Sequence, residues 1–361
     1  MNWSAFRQRE LPFLEEASYL DYALRGLVTQ SSLEACELAL AACARGREAR
    51  PQQALALERL RASLLGLVGW GDGQVGFTAN TTTAIALLAG SIPWRPGDRI
   101  VVHADEVLGN RLPWRAVSKR FGLELVELPS REGRLELEDL AEACQEPVAW
   151  ASLAAVSLGS GDIRPLTEVR EIVHSAGGRL CVDAAQGIGC VPVGAADAIV
   201  GSGRKWLCGP PEVGFLLMRD AAAESLIPLS AGACSGTGAR ALEGGVPPLV
   251  PAIGLLASLE VLGEFGWEEL QAGVQERSRR VLELGQAAGW KPCYPHKLDR
   301  QGPLVHFALP EGSPPDLEAQ LEARKIFARV LPDQGTLRVS PHAWTTEAEI
   351  QALFAALADI G

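Results

Sequence analysis

The sequence predicts an α/β fold with a mostly parallel central sheet, helices on both sheet faces and a smaller α+β domain towards the C-terminus. Between residues 74 and 218, short apolar runs alternate with helical patterns, which is typical of a parallel sheet with helical crossovers. The proline-rich stretch 246–251 ends this alternation, and two long helical patterns follow it. A chain of 361 residues is long enough for both parts. We therefore expect a large domain over 16–250 and a small domain formed by 1–15 and 251–361.

Apolar period, turn residues and capping residues place the individual elements. The predicted strands lie at 74–78, 99–102, 123–128, 148–156, 179–183, 198–201 and 213–218, with shorter ones near 303–308 and 336–340. The predicted helices lie at about 31–66 with a break near Pro51, at 84–89 after a cap at 80–83, from Leu112 onward, and at about 136–144, 165–176, 253–262, 267–288 and 346–358.

Composition narrows the class of protein. The net charge is −11 and no Lys/Arg-rich run occurs, which disfavours nucleic acid and anionic membranes as partners. None of the eight cysteines forms a CxxC pair, so we expect reduced thiols in a cytoplasmic protein. The five histidines lack metal-ligand spacing, and no metal site is expected. The N-terminus lacks the apolar core of a signal peptide, and no apolar stretch of about 18 residues predicts a membrane span.

Lys205 closes the turn Ser202-Gly203-Arg204-Lys205 directly after a predicted strand, and Asp183 ends the strand before it. Ligands of parallel sheets bind beyond the carboxyl ends of the strands. Lys205, Asp183 and the polar turn 80–83 are therefore expected to converge. Taken singly, each has an ordinary explanation: a surface charge, an ion-pair carboxylate and a helix cap.

Together these residues suit pyridoxal 5'-phosphate, which needs a Schiff-base lysine, an anion beside its ring nitrogen and a phosphate cradle. Lys205 is the candidate amine and Asp183 the candidate anion, while Gln186 can hydrogen-bond the phenolic oxygen. The cradle is expected at the N-terminus of the helix after Asn80, where backbone N–H groups favour an anion. Its candidate residues are Thr81, Thr82, Ser202 and Arg204.

The chain resembles the class V aminotransferases, which are fold type I pyridoxal phosphate enzymes and include cysteine desulfurases, isopenicillin N epimerase-like proteins and C–S lyases. The resemblance covers nearly the whole chain. It is carried by Tyr19-Leu20-Asp21-Tyr22-Ala23, Phe77-Thr78-Ala79-Asn80-Thr81-Thr82, Asn110-Arg111-Leu112-Pro113-Trp114, Gly161-Asp162-Ile163-Arg164-Pro165, Val182-Asp183-Ala184-Ala185-Gln186-Gly187, Ser202-Gly203-Arg204-Lys205 and Arg338-Val339-Ser340-Pro341-His342-Ala343-Trp344.

The resemblance implies a fold type I transferase architecture, a homodimer and an amino-acid substrate. It implies that Lys205 is the Schiff-base lysine and moves the proton at the substrate Cα. It further implies that Arg338 clamps the substrate α-carboxylate, a task that suits a planar guanidinium. The implied cofactor contacts are those of Asp183, Gln186, Thr81, Thr82, Ser202 and Arg204.

The sequence departs from the family pattern at several places. Val107 stands where many members carry a histidine that stacks on the cofactor ring, so we expect an apolar contact there and no proton transfer. Leu158 and Val246 replace an asparagine near the phenolic oxygen and a threonine that reaches the phosphate across the dimer. No cysteine lies between Glu322 and Arg338, where desulfurases carry their nucleophile, so persulfide formation by that route is not expected.

These residues predict an enzyme that acts on an α-amino acid and leave its reaction open. The first expectation is an aminotransferase, and the alternatives are a C–S lyase that performs β-elimination or an epimerase. A pyridoxal phosphate-binding module without catalysis is a further alternative, motivated by Val107, Leu158 and Val246. A dinucleotide-dependent dehydrogenase is disfavoured because no G-x-G-x-x-G turn follows a first strand.

Overall fold

A computed structural model describes residues 2–229, 236–294 and 300–360. The helices are α1 Trp3–Glu10, α2 Gln30–Cys43, α3 Arg50–Leu67, α4 Thr81–Ser91, α5 Leu108–Phe121, α6 Leu137–Ala143, α7 Leu166–Ser175, α8 Asp220–Ala223, α9 Leu249–Gly263, α10 Trp267–Ala287, α11 Leu317–Ala323 and α12 Glu347–Ile360. The strands are β1 Ser18–Tyr19, β2 Gln74–Thr78, β3 Arg99–His103, β4 Glu124–Leu128, β5 Trp150–Ala154, β6 Arg179–Asp183, β7 Ala198–Ser202, β8 Gly214–Met218, β9 Val305–Ala308, β10 Ile326–Phe327, β11 Arg329–Leu331 and β12 Thr336–Val339.

The central sheet has seven strands in the order β2-β8-β7-β6-β5-β3-β4. β8 pairs antiparallel with both of its neighbours, and the other pairs are parallel. β7 and β8 are buried along their whole length, whereas the edge strand β4 keeps Glu124 and Glu127 towards solvent. Apolar strands covered on both faces are typical of parallel sheets. The mostly parallel sheet expected from the sequence is confirmed.

Two smaller sheets lie in the C-terminal part. β9, β12 and β11 form an antiparallel sheet, and β1 pairs in parallel with β10. A separate core cluster of Leu and Val side chains from α10, α11, α12 and these strands supports them. The residues directly after β1 continue towards β12, because Asp21 forms a bridge with Ser340. The exact division into a large and a small domain stays a prediction.

The predicted strands between 74 and 218 agree with the structure to within two residues at each end. Two helix starts are wrong by four residues: α5 begins at Leu108 and contains Pro113, whereas the sequence placed its start at Leu112, and α9 begins at Leu249 and not at residue 253. Proline is common in the first turn of a helix, which led the sequence analysis to start α5 beside Pro113. Among the described residues no single helix is long and apolar enough to span a membrane; α9 and α10 pass that test only as a pair, bent by 83°.

Candidate active site

A cavity of about 500 Å³ opens at the carboxyl ends of β2, β6 and β7. Its wall contains most of the residues that the sequence singled out as candidate cofactor contacts. These are Thr81, Thr82, Val107, Asp183, Ser202, Arg204 and Lys205. Further wall residues that sequence analysis did not select are Ala79, Gly109, Ala185, Pro211 and Glu212.

The first turn of α4 forms one end of this cavity. The Asn80 side chain caps the helix, because its Oδ1 accepts from the Thr83 N–H at 2.9 Å and from the Thr83 hydroxyl at 3.1 Å. The backbone N–H groups of Thr81 and Thr82 have no acceptor inside the helix. Both residues lie in the cavity wall. A helix terminus of this kind binds an anion such as a phosphate.

Two glycines allow close packing of the backbone and side chains at this end of the cavity. A Cβ at Gly214 would lie 2.6 Å from the Asn80 Cα, so only glycine lets β8 begin under the turn that precedes α4. A Cβ at Gly109 would lie 2.6 Å from the Thr82 hydroxyl oxygen. The space beside Thr82 therefore depends on the missing side chain at Gly109.

Asp183 supplies a buried carboxylate at the deep end of the cavity. The residue is 5% exposed, and its Oδ1 accepts from the Ala185 N–H at 2.9 Å. Burial raises the pKa of Asp183 to about 6; Glu106 also raises it, whereas the Ala185 N–H, Lys205 and Arg164 lower it. Above that pH the group is an anion that can hold a proton on a ring nitrogen.

Lys205 lies beside Asp183 in the same cavity wall. Burial, the largest influence, lowers the pKa of Lys205 to about 8; Arg204 and Arg338 also lower it, whereas Asp183 and Asp21 raise it. An amine with this pKa is partly neutral near pH 7 and can act as a nucleophile or a base.

Gln186 lies in the wall of a smaller inner cavity that also contains Asp183 and Lys205. Its Nε2 donates to the Ala23 carbonyl at 2.9 Å, and its Oε1 accepts from the Trp206 indole N–H at 2.8 Å. These contacts fix the amide and leave one Nε2–H for a further acceptor. The contact of Gln186 with a phenolic oxygen stays a prediction.

Val107 and Leu158 give the inner cavity an apolar side. Val107 immediately precedes α5 and is 39% exposed, a high value for a valine. Neither side chain can donate or accept a proton. These two side chains therefore take no part in proton transfer.

A buried ion pair behind the cavity was not predicted. Glu106 Oε1 accepts from Arg164 Nη1 at 2.6 Å and from the Ala154 N–H at 2.8 Å, while Oε2 accepts from Asn110 Nδ2 at 3.0 Å. Both charged side chains are 1% exposed. Arg164 and Asn110 stand in motifs that carry the family resemblance, but their pairing with Glu106 spans up to 58 residues. Sequence spacing offers no indication of such a contact.

Arg338 lies outside the wall of both cavities, on β12, and is 5% exposed. Its Nη2 donates to Asp21 Oδ1 at 3.1 Å, and its buried Nε has no hydrogen-bond partner among the described residues. Both Arg338 and Asp21 are close enough to Lys205 to influence its pKa. Asp21 was not selected from the sequence, although it stands in the first motif of the resemblance.

The cysteine thiols of the described residues lie outside the two cavities of the candidate site. None of the seven free cysteines in these residues belongs to the wall of either cavity. Cys208 is three residues from Lys205 but fully buried, and burial raises its thiol pKa above the usual range. Cys234 lies outside the described residues. β11 and β12 are joined by a short turn, Pro332–Gln334, in the segment where the sequence lacks a cysteine.

The donor set fits pyridoxal 5'-phosphate. The cavity combines a buried amine with lowered pKa, a buried carboxylate and the N-terminus of an 11-residue helix. Lys205 and Arg204 form no ion pair within the described ranges, so both cations remain available to a ligand. An aldehyde, a protonated ring nitrogen and a phosphate match these three groups.

Known proteins resemble this chain along most of its length. The family model described as Aminotransferase class-V matches residues 27–353. The probable cysteine desulfurase of Halalkalibacterium halodurans is 30% identical over 317 residues, covering 78% of this chain and 76% of that protein. The probable hercynylcysteine sulfoxide lyase of Mycobacterium tuberculosis is 29% identical over 337 residues, covering 86% of this chain and 82% of that protein.

A solved structure gives the same fold. A variant of the protein C-DES, with glycine covalently linked to its PLP cofactor, matches with a TM-score of 0.90 at 22% sequence identity. The match covers 98% of this chain and 99% of that chain. The expected fold type I architecture is confirmed.

Proposed function

The chain belongs to the aminotransferase class-V family, and its cofactor is pyridoxal 5'-phosphate. From this we propose that the protein catalyses β-elimination of a cysteine-derived α-amino acid, in which the bond between Cβ and sulfur breaks. The cofactor, when bound, supplies an electron sink that makes the substrate Cα–H acidic.

Relatives in sulfur metabolism support C–S chemistry more than the aminotransferase first expected from the sequence. These relatives are named as a cysteine desulfurase and a sulfoxide lyase. One observation separates elimination from persulfide transfer: no described cysteine lies in either cavity wall, and none occurs between Glu322 and Arg338. If no thiol attacks the substrate sulfur, as the described residues indicate, the sulfur leaves with the electron pair of its bond to Cβ.

The chain's residues divide the work by position. Lys205 takes the proton from the substrate Cα, because its pKa of about 8 leaves a reactive neutral fraction near neutrality. The electron pair of the C–S bond departs with sulfur, and a proton released from Lys205 or water neutralises the thiolate. The remaining aminoacrylate hydrolyses to pyruvate and ammonia.

The other side chains bind and orient. Asp183 holds the ring nitrogen in its protonated form, and the first turn of α4 with Ser202 and Arg204 holds the phosphate. Gln186 would bond the phenolic oxygen, Val107 would pack against the cofactor ring, and Arg338 would bind the α-carboxylate. The enzyme is proposed to work as a cytoplasmic homodimer.

Product analysis tests this proposal. The purified holoprotein is incubated with cysteine, cystine and S-alkylcysteine sulfoxides, and thiol, pyruvate, alanine and keto acids are quantified. Elimination requires sulfur product and pyruvate in equal amounts without alanine. Alanine with sulfane sulfur would overturn it in favour of a desulfurase, and a sulfur-containing keto acid in favour of transamination.

Lys205→Ala provides the internal test of mechanism. It should abolish product formation and remove the absorption band of the lysine-bound cofactor, because Lys205 is the one lysine that the described residues place in the cavity wall. Lys119→Ala is the matched control, since Lys119 is exposed on α5 and should leave both measurements unchanged. A wild-type band that no amino acid perturbs would favour a binding module without catalysis.

A further inference from the structure

Glu106 reaches the sheet next to Asp183. The Ala154 N–H that Glu106 accepts at 2.8 Å belongs to β5, and Ala154 is in register with Asp183 across β5 and β6. Glu106 and Asp183 also share the wall of the inner cavity. Two carboxylates this close disfavour each other's ionisation unless a cation compensates one of them.

Arg164 is the compensating cation. Its Nη1 donates to Glu106 at 2.6 Å, and its Nη2 lies 3.2 Å from His103 Nδ1. His103 Nε2 lies 3.1 Å from the Arg134 carbonyl, so Nε2 carries the proton and Nδ1 accepts from Arg164. Burial and then Arg164 lower the pKa of His103 to about 4. His103 is therefore neutral near pH 7, and the positive charge of Arg164 serves Glu106.

The same pair fixes the backbone that carries Val107. Glu106 is tied to β5 through Ala154 and to α5 through Asn110, whose side chain also accepts from Ser152 at 2.9 Å. Val107 follows Glu106 directly and lies in the walls of both cavities. Its position beside the cofactor ring therefore depends on an anchored Glu106.

We propose that Arg164 is a positioning residue of the cofactor site, which acts through Glu106 to fix Val107 and to keep Asp183 ionised opposite the ring nitrogen. This role concerns cofactor binding and does not depend on which bond the enzyme cleaves. It is separate from the contacts that the family resemblance implied.

Three charged groups act most strongly on Asp183, and their signs can be separated. Glu106 raises its pKa, whereas Lys205 and Arg164 lower it. The other titratable or charged groups near it are the buried Cys181 thiol, Asp105 in the wall of the inner cavity and Arg204 in the wall of the larger one. Only the ionised form of Asp183 pairs with a protonated ring nitrogen. Cofactor affinity therefore falls as the pH decreases through the pKa of Asp183. Removing Arg164 moves that loss to higher pH, and neutralising Glu106 moves it to lower pH.

The test measures the dissociation constant of pyridoxamine 5'-phosphate, which cannot form a Schiff base with Lys205, at pH 6 and pH 8. The proteins are wild type, Arg164→Met, Glu106→Gln and the double variant. The quantity compared is the dissociation constant at pH 6 divided by that at pH 8. We expect Arg164→Met to raise this ratio about threefold or more, since one pKa unit corresponds to about a tenfold change in the ionisation equilibrium. Glu106→Gln should lower the ratio, and the double variant should return to within about twofold of wild type.

A purely structural role gives a different pattern. Arg7→Met breaks an ion pair of Arg7 with Glu349 at 2.8 Å in the C-terminal part and should lower stability without changing the pH ratio. The proposal is overturned if Arg164→Met and Glu106→Gln change the ratio in the same direction or leave it unchanged. If Arg164→Met does not fold, Glu106→Gln decides alone, because its ratio must then fall below that of wild type.

Discussion

The site is framed by two buried arginine–carboxylate pairs that differ in how completely they are bonded. Arg164 and Glu106 are 1% exposed, and Glu106 accepts three hydrogen bonds. Arg338 and Asp21 are also buried, but one bond of 3.1 Å joins them. Charge and burial are similar in both pairs, whereas the number of bonds differs.

This difference separates a structural pair from a binding pair. A carboxylate has about four acceptor sites, and protein donors occupy three of them at Glu106. Glu106 therefore has little capacity to bind a ligand and instead holds neighbouring protein groups in place. Arg164 and Arg338 each keep a buried Nε without an acceptor in the described part of the chain, but the two terminal nitrogens of Arg164 bond Glu106 and His103, whereas the side chain of Arg338 makes one bond there, from Nη2 to Asp21. An unmet donor of this kind costs about 1–3 kcal/mol, and a carboxylate ligand would relieve that cost. The terminal donors of Arg338 that remain free suit it to bind a ligand carboxylate, whereas those of Arg164 are directed at Glu106 and His103.

Loss of Arg338 is the largest expected effect on the substrate side. Arg338→Leu should lower kcat/KM for an amino-acid substrate about a hundredfold or more, because a charge-assisted contact to the α-carboxylate disappears. The cofactor absorption band should persist. Steady-state kinetics and the absorption spectrum of the same preparation check both statements.

Arg329→Leu is the matched control for that variant. Arg329 faces Arg338 across β11 and β12, but its side chain is 39% exposed and pairs with Glu318 at 2.7 Å. Its loss should change kcat/KM less than about threefold, as exposed ion pairs contribute little. Equal losses in the two variants would mean that the sheet, and not the guanidinium of Arg338, matters for the substrate.

The two pairs also show which features of the site could be predicted from the sequence and which could not. Strand ends and turn residues are local features of a sequence, and they are sufficient to predict that Asp183, Lys205 and the Asn80 cap lie at one edge of the sheet. The family resemblance adds Arg338, which lies far along the chain on a separate sheet. These predictions depend on period, capping and motif, all of which can be read in one dimension.

The pairings themselves could not be predicted. Glu106 and Arg164 meet because β5 and the turn after it bring together residues 58 positions apart. Asp21 and Arg338 are 317 positions apart and meet through the pairing of β1 with the C-terminal part. Neither carboxylate is distinguishable from a surface charge by its sequence context. Only the packed structure shows that Glu106 accepts three hydrogen bonds, whereas a single bond joins Asp21 to Arg338.

The protonation state of Lys205 provides a second test of the Arg338–Asp21 pair, which lies close enough to influence the pKa of this amine. Only the neutral amine captures the cofactor aldehyde, and burial lowers the Lys205 pKa to about 8. The capture rate of cofactor-free protein should therefore rise nearly tenfold from pH 6 to pH 7 and level off above pH 8. Stopped-flow absorbance measures it, and a midpoint near the ordinary lysine value of about 10.4 would contradict the assignment.

Variants of the substrate pair should move this midpoint in opposite directions. Arg338 lowers the pKa of Lys205, and Asp21 raises it. Arg338→Leu is therefore expected to shift the capture midpoint to higher pH and Asp21→Asn to lower pH. A midpoint unchanged in both variants would show that the pair lies too far from Lys205 to act on it.

Substitution of Asp21 has the smallest expected effect and decides what the incomplete pair is for. Asparagine keeps an acceptor for Arg338 Nη2 but removes a negative charge that repels a carboxylate ligand. Asp21→Asn should lower KM about threefold, an energy of roughly 0.7 kcal/mol that suits a screened charge. Asp21→Ala also removes the acceptor, so the Arg338 side chain loses its only hydrogen bond within the described residues and KM should rise. If both variants raise KM, Asp21 acts as an anchor alone, and Arg338 needs the negative charge to stay in place.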